Sequence, residues 1–172
     1  NGAGYRVGPE AFFELGADVI PLSISPDGTN INDFCGAIYP NKMAEMTVKN
    51  SALVGVALDG DADRVILSDE NGELIDGDQI IAVLAESMKS NDQLKKNTVV
   101  GTLMSNFSLE QYLSSLGINL KRVNVGDRYI LDKMLKNDYN LGGEPSGHVL
   151  LTDHSKTGDG LLTAIKIISL LK

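Results

Sequence analysis

Leu53-Val54-Gly55-Val56-Ala57-Leu58-Asp59-Gly60-Asp61-Ala62-Asp63-Arg64 is the stretch whose reading decides the fold of this chain. Six apolar residues in a row make a strand of the buried kind, and the run breaks off abruptly into alternating carboxylates. Just beyond, Val65-Ile66-Leu67 and Leu74-Ile75 flank Asn71-Gly72, a strong hairpin signal. Toward the start, Gly8 to Leu15 predicts a short helix opened by Pro9 and stopped by Gly16, and Ala17 to Pro21 a short strand. Ser25 to Asn30 is rich in turn formers, and Asn41 to Val48 has helical character. A doubly wound unit opens on a strand, so this order predicts a piece of a longer polypeptide whose first β-strand precedes residue 1.

A second unit is expected from Asp76 onward. Asp78 can cap a helix with Ile80, Ile81, Val83, Leu84 and Met88 on its apolar face. Strand (Thr98 to Leu103), helix (Ser108 to Leu116), strand (Asn119 to Val125) and helix (Tyr129 to Lys136) then alternate, as a parallel sheet requires. Leu141 enters a glycine-rich loop, Val149 to Leu151 resumes a strand, and Gly160 to Leu171 is a helix with Leu161, Leu162, Ile165, Ile168 and Leu171 inward. The fold class is therefore α/β: two consecutive α/β domains, 1–75 and 76–172, with mixed, mostly parallel sheets.

The 172 residues carry a formal net charge of -8, from 23 acidic against 15 basic side chains. That balance opposes binding to nucleic acid or an anionic membrane, where Lys and Arg must replace counterions. It would also repel a phosphorylated metabolite unless a local cation intervenes. The single cysteine, Cys35, cannot form an internal disulfide and reads as a buried thiol in a reducing compartment, so a cytoplasmic location is expected. Neither a membrane-length apolar run nor a signal-peptide pattern is visible.

Asp59, Asp61 and Asp63 follow one another at every second residue, which in an extended segment sends all three side chains to one side. Crowded carboxylates repel, and a hard divalent cation with oxygen ligands relieves the repulsion; magnesium suits a few carboxylates plus a phosphate. A solvated acidic turn is the plain alternative. An EF-hand would place Asp59, Asp61, Asp63 and Glu70 on its positions 1, 3, 5 and 12, but it needs Gly where Arg64 stands and helices where strands are expected. Arg64 can hold a phosphate beside the metal or neutralise the carboxylates. Glu144, Ser146 and His148, in Gly142-Gly143-Glu144-Pro145-Ser146-Gly147-His148, offer the mixed donors and acceptors that sugar hydroxyls need, and His148 could orient substrate or move a proton. The same stretch also reads as an ordinary turn. Asp127 reads as a helix cap, Thr157 to Gly160 first as a helix-start turn capped by Asp159 and second as a wall of the site, Ser105-Asn106 as a cap before a ligand contact, Arg128 as a phosphate contact at a helix start, and His154 and Lys156 as solvated.

Asp59-Gly60-Asp61-Ala62-Asp63-Arg64 resembles the metal loop of the α-D-phosphohexomutase superfamily, and Gly143-Glu144-Pro145-Ser146-Gly147-His148 its sugar loop. Asn1 to Gly4, Pro26 to Asn32, Val125 to Tyr129 and Thr157 to Gly160 resemble the phosphoglucosamine mutase branch, and the likeness covers essentially the whole chain. The resemblance implies the second and third of four domains of a Mg²⁺-dependent isomerase. That enzyme interconverts glucosamine 6-phosphate and glucosamine 1-phosphate through a bisphosphate, using a phosphoserine in the first domain, and feeds peptidoglycan precursor synthesis. It further implies Asp59, Asp61 and Asp63 as metal ligands, Arg64 and His148 as catalytic, and Glu144, Ser146, His148 and Arg128 as substrate-binding. The partners implied are a phosphorylated amino sugar and domains one and four of the same polypeptide, without which the piece should not turn over; a homodimer is left open. Phosphomannomutase or phosphoglucomutase activity, or a non-catalytic metal- or sugar-binding module, are the alternatives. Two departures stand out: Ala62 replaces the usual Gly, which should deny that position easy access to positive φ, and Pro145 replaces the branch's usual Gln.

Overall fold

The computed structural model describes residues 1–171; residue 172, the last of the second predicted domain, lies outside them. Helices α1 (Val7–Glu14) and α2 (Asn41–Lys49) precede strands β1 (Gly55–Leu58), β2 (Val65–Ser68) and β3 (Leu74–Ile75). Then come α3 (Gly77–Ser90), β4 (Thr98–Thr102), α4 (Phe107–Ser115), β5 (Asn119–Val123), α5 (Asp127–Asn137), β6 (Leu141–Gly143), β7 (Val149–Leu151) and α6 (Gly160–Ser169).

The first sheet runs β1-β2-β3, antiparallel throughout. Its hairpin turns at Asp69 to Glu73, where Gly72 takes φ +82 and the Asp69 side chain accepts the amides of Asn71 and Glu73. The second sheet runs β5-β4-β6-β7, with β4 parallel to both neighbours and only β7 reversed. The α/β class thus holds, and its mostly parallel character resides in the second sheet.

Val65 and Leu67 of β2 are fully buried in the same core as Ile80, Ile81 and Leu84 of α3, Leu113 of α4, Leu141 of β6 and Ala164 of α6. On the other face of the second sheet, Ile130 and Met134 of α5 close over Val100 and Leu150. Hydrophobic burial thus reaches across both sheets, and the metal-type loop between β1 and β2 is anchored at its far end in this shared core.

Several local expectations change. Ala17 to Pro21 forms no strand: the Ala17 amide donates to the Phe12 carbonyl at 3.0 Å, closing off α1, and among the described residues no strand pairs with the segment, which β-branched side chains alone cannot turn into a ladder. A cleft of about 600 Å³ separates it from β1. Leu141 to Gly143 is buried strand rather than loop: a Cβ on Gly142 would lie 2.8 Å from Met134 Sδ, so glycine here lets α5 pack against the sheet. On α6 the buried positions are Gly160, Thr163, Ala164 and Ile167, the first three of them small enough to let the helix sit close to β2, whereas Leu161, Leu162, Ile165 and Ile168 are half-buried and Leu171 is exposed. Val83 faces outward on α3.

The cap of α3 is Asp76, which forms a capping box with Gln79. Asp78 instead lies buried in the first turn and accepts the Asn106 amide. Burial is the main reason its carboxyl titrates above the ordinary 3.8. A group raised on folding keeps its proton longer in the folded chain, so its ionisation costs stability as pH rises through the unfolded value toward the folded one. Asp78→Asn should match the parent in urea unfolding at pH 3 and exceed it at pH 7.

Candidate metal and sugar site

The loop joining β1 to β2 gathers the three aspartates. One ligand oxygen from each of Asp59, Asp61 and Asp63 lies within 4.8 Å of the others. Asp59 is buried, Asp63 half-buried and Asp61 exposed, so the cluster grades from core to solvent. Burial first, and then the neighbouring Asp63 and Asp61, hold the Asp59 carboxyl above its ordinary range against the pull of the Arg64 amide, which donates to Asp59 Oδ1 at 3.1 Å. Arg64 Nε stands 3.3 Å from Asp59 and 3.5 Å from Asp63, leaving a half-exposed guanidinium at the rim. The two sequence readings of Arg64 therefore combine: it neutralises carboxylates through Nε and presents the rest of its fork outward. Strands on both sides of the loop remove the EF-hand reading.

Ala62 takes φ +64 although it carries a Cβ. The left-handed conformation costs a non-glycine residue roughly 1–2 kcal/mol. The expectation that alanine would keep this loop out of positive φ therefore fails; neighbouring contacts impose the turn, with Gly160 donating to the Ala62 carbonyl at 2.9 Å. Ala62→Gly should stabilise the chain by roughly 0.5 kcal/mol, the relief of strain less the entropy of a freer unfolded chain, as read from thermal unfolding.

The second loop arrives from β6. Arg64 and His148 form an antiparallel bridge, Val65 donates to the Gly147 carbonyl at 3.1 Å, and Gly77 to that of Pro145 at 3.0 Å. These bonds lay residues 144–148 against the metal-type loop. Glu144 accepts from the Gly126 amide through Oε1 at 2.8 Å and from the Ser146 hydroxyl through Oε2 at 3.3 Å. Its carboxylate thus sits at the start of α5, where the helix dipole favours an anion and where Gly126 has no side chain to cap. Asp127 is the first helical residue rather than the cap, and it accepts only the Arg128 amide. Arg128 is exposed in that first turn, two residues from the Gly126 amide that Glu144 holds.

His148 is 5 % exposed and faces Asp63, Nδ1 to Oδ2 at 3.1 Å, not the open rim. Asp159 caps α6 through the Leu162 amide at 2.9 Å, and Gly158 before it packs against the His148 ring. Both sequence readings of Thr157 to Gly160 therefore apply, since the turn caps α6 and also walls the site beside His148; the Gly126 amide, by contrast, has no sequence signal, since backbone donors leave no residue signature. Asn106 caps α4, while Cys35 is buried and His154 and Lys156 are exposed, as expected.

Fold and site together define an α/β protein with an acidic, oxygen-rich cluster beside a polar loop at the ends of its strands, where such folds take ligands. Residues 76–172 match the model of phosphoglucomutase/phosphomannomutase alpha/beta/alpha domain III, and the chain belongs to that family. It is 49% identical over all 172 residues to the phosphoglucosamine mutase of Bradyrhizobium diazoefficiens and 51% identical to that of Bdellovibrio bacteriovorus. In both cases it spans 38% of the relative's length. A phosphoglucomutase/phosphomannomutase family protein from Burkholderia thailandensis superposes with a TM-score of 0.85 at 23% identity, over 96% of this chain and 36% of that one. A phosphomannomutase-like structure from Thermus thermophilus gives 0.77 at 23% identity, over 95% and 38%. These two likenesses show the fold.

Proposed function

We propose that this chain supplies the metal and sugar-recognition parts of a phosphoglucosamine mutase, an isomerase interconverting glucosamine 6-phosphate and glucosamine 1-phosphate. The observation that carries the reading is identity of about half to phosphoglucosamine mutases over the full chain, with both loops at one site. In this reading residues 1–75 and 76–172 are two of the enzyme's domains, and the phosphoserine and the remaining phosphate contacts lie elsewhere in the polypeptide. Cytoplasmic function accords with it; among the described residues no helix is long and apolar enough to cross a membrane.

The donor set fits a divalent cation: three clustered carboxylates, one with a buried oxygen that has no hydrogen-bond partner. Asp59, Asp61 and Asp63 would hold it, and bound Mg²⁺ would draw negative charge from a transferring phosphoryl group. Arg64 offers its outward guanidinium to the phosphoryl oxygens, and Arg128 a cation at the opposite helix start. Glu144 and Ser146, tied to Gly126 and to each other, present fixed acceptors and a donor to ring hydroxyls and to the amino group, and so orient the sugar. A bisphosphate intermediate that must turn end for end suits a site with polar contacts on several loops.

The test is an assay of the intact polypeptide with Mg²⁺ on glucosamine, glucose and mannose phosphates. Faster turnover of the glucosamine pair is expected, and a clear preference for a neutral hexose would move the assignment to the phosphomannomutase or phosphoglucomutase activities.

A further inference from the structure

β1 stands at the edge of its sheet, with β2 as its only strand neighbour among the described residues. Asp59 donates to the Arg64 carbonyl, and bonded and non-bonded pairs alternate along an antiparallel ladder. Gly55 and Ala57 therefore bond to β2, while Val56 and Leu58 aim their backbone groups the other way. On that side the Leu58 carbonyl accepts the Ala37 amide at 3.0 Å, but the Val56 and Leu58 amides have no partner among the described residues. The edge borders the cleft of about 600 Å³, whose far wall is the Ala17 to Leu22 segment and whose lining includes the half-buried Phe12, Val19, Val54 and Val56. Asn1 lies between the two walls at one end. Its backbone nitrogen donates to the Ser23 carbonyl and its Oδ1 accepts the Ser25 amide at 3.1 Å, while Ala3 donates to the Gly60 carbonyl at 2.8 Å.

We propose that this cleft is a strand slot, filled in the intact polypeptide by the residues immediately before Asn1, which pair with the free edge of β1 and run parallel to it. This rests on the reading of the chain as part of a longer polypeptide, 38% of whose length it spans in its relatives, and deepens it. Direction follows from the ends. Ser23 closes the far wall and Gly60 follows β1, so both walls lead up to Asn1, and a segment arriving at Asn1 through the cleft travels the same way. Such a strand joined to the far wall needs a crossover, and residues 2–16, which hold α1, supply one of ordinary length. A parallel strand covered on both faces is a near-continuous apolar run, so the occupant is about five apolar, largely β-branched residues. It satisfies the Val56 and Leu58 amides, covers the apolar lining, and leads straight into the contact between Ala3 and Gly60 in the loop that bears Asp59 and Asp61.

Amide hydrogen exchange and amide-to-amide nuclear Overhauser effects, measured on the deuterated intact polypeptide and on the 172-residue chain, test the proposal. In the chain alone the Val56 and Leu58 amides should exchange freely, while those of Gly55 and Ala57, bonded to β2, are protected. In the intact polypeptide Val56 and Leu58 should slow by on the order of a hundredfold, with cross-strand effects to residues preceding Asn1 in parallel register. Free exchange of both amides in the intact polypeptide overturns the slot, as do cross-strand effects to any other segment. Protection already complete in the dilute chain overturns it too, and protection that grows with the chain's concentration names a second copy as the occupant instead. Should the chain fail to fold alone, the intact polypeptide decides by itself. A preference for a neutral hexose in the activity assay would change the functional reading and leave this pairing untouched.

Discussion

Asp61→Asn is expected to lower turnover of the intact enzyme by on the order of a hundredfold to a thousandfold, the usual cost of deleting one group that stabilises developing charge. The substitution is clean because Asp61 is exposed: it packs against nothing in the core, and its amide replacement keeps the size of the carboxylate. In the metal-free chain it removes one of three mutually repelling charges, so the melting temperature should hold or rise slightly. What should disappear is the extra stability that Mg²⁺ confers on the parent, since a ligand that binds only the folded state stabilises it in proportion to its affinity. Undiminished turnover with undiminished Mg²⁺ stabilisation would remove Asp61 from the metal site.

Gly147→Ala should be the most damaging single substitution for folding, at about 3 kcal/mol or more of stability in urea unfolding. Two costs add. The residue has φ +91, and the added Cβ would lie 2.1 Å from the Val65 carbonyl oxygen, a rigid backbone atom in the middle of the shared core. The chain can accept the methyl only by breaking the Val65-to-Gly147 hydrogen bond and parting the two loops. Gly28→Ala is the control: its φ is +90 with nothing within 4 Å of the new Cβ, so it should show the conformational cost alone, roughly 1 kcal/mol. Equal effects at the two positions would mean that the loop junction carries no stability.

Much of this molecule is written in local pattern. The apolar run ending at Leu58 became β1 from Gly55, the Asp69–Glu73 turn closed the hairpin, and the strand–helix alternation after residue 98 became the parallel part of the second sheet. Caps were legible to within one or two residues: Asp159 and Asn106 serve, whereas Asp76 caps α3 in place of Asp78 and Gly126 stands where Asp127 was expected. The misses share a cause. Ala17 to Pro21 has strand composition without a partner, Leu141 to Gly143 has loop composition with partners on both sides, and α6 buries its small residues because the helix must approach β2 closely.

By itself the sequence determined which residue types follow one another: the alternating aspartates, the Glu-Pro-Ser-Gly-His stretch, the apolar periodicities and an excess of acid. Only the tertiary structure decided that Arg64 bridges to His148, that Glu144 reaches the amide at the start of α5, and that the imidazole faces a carboxylate instead of the open rim. The physical reason is range. Side-chain spacing and backbone propensity act over a few residues, whereas these contacts join positions far apart in the chain, brought together when β2, α3 and α6 bury one core.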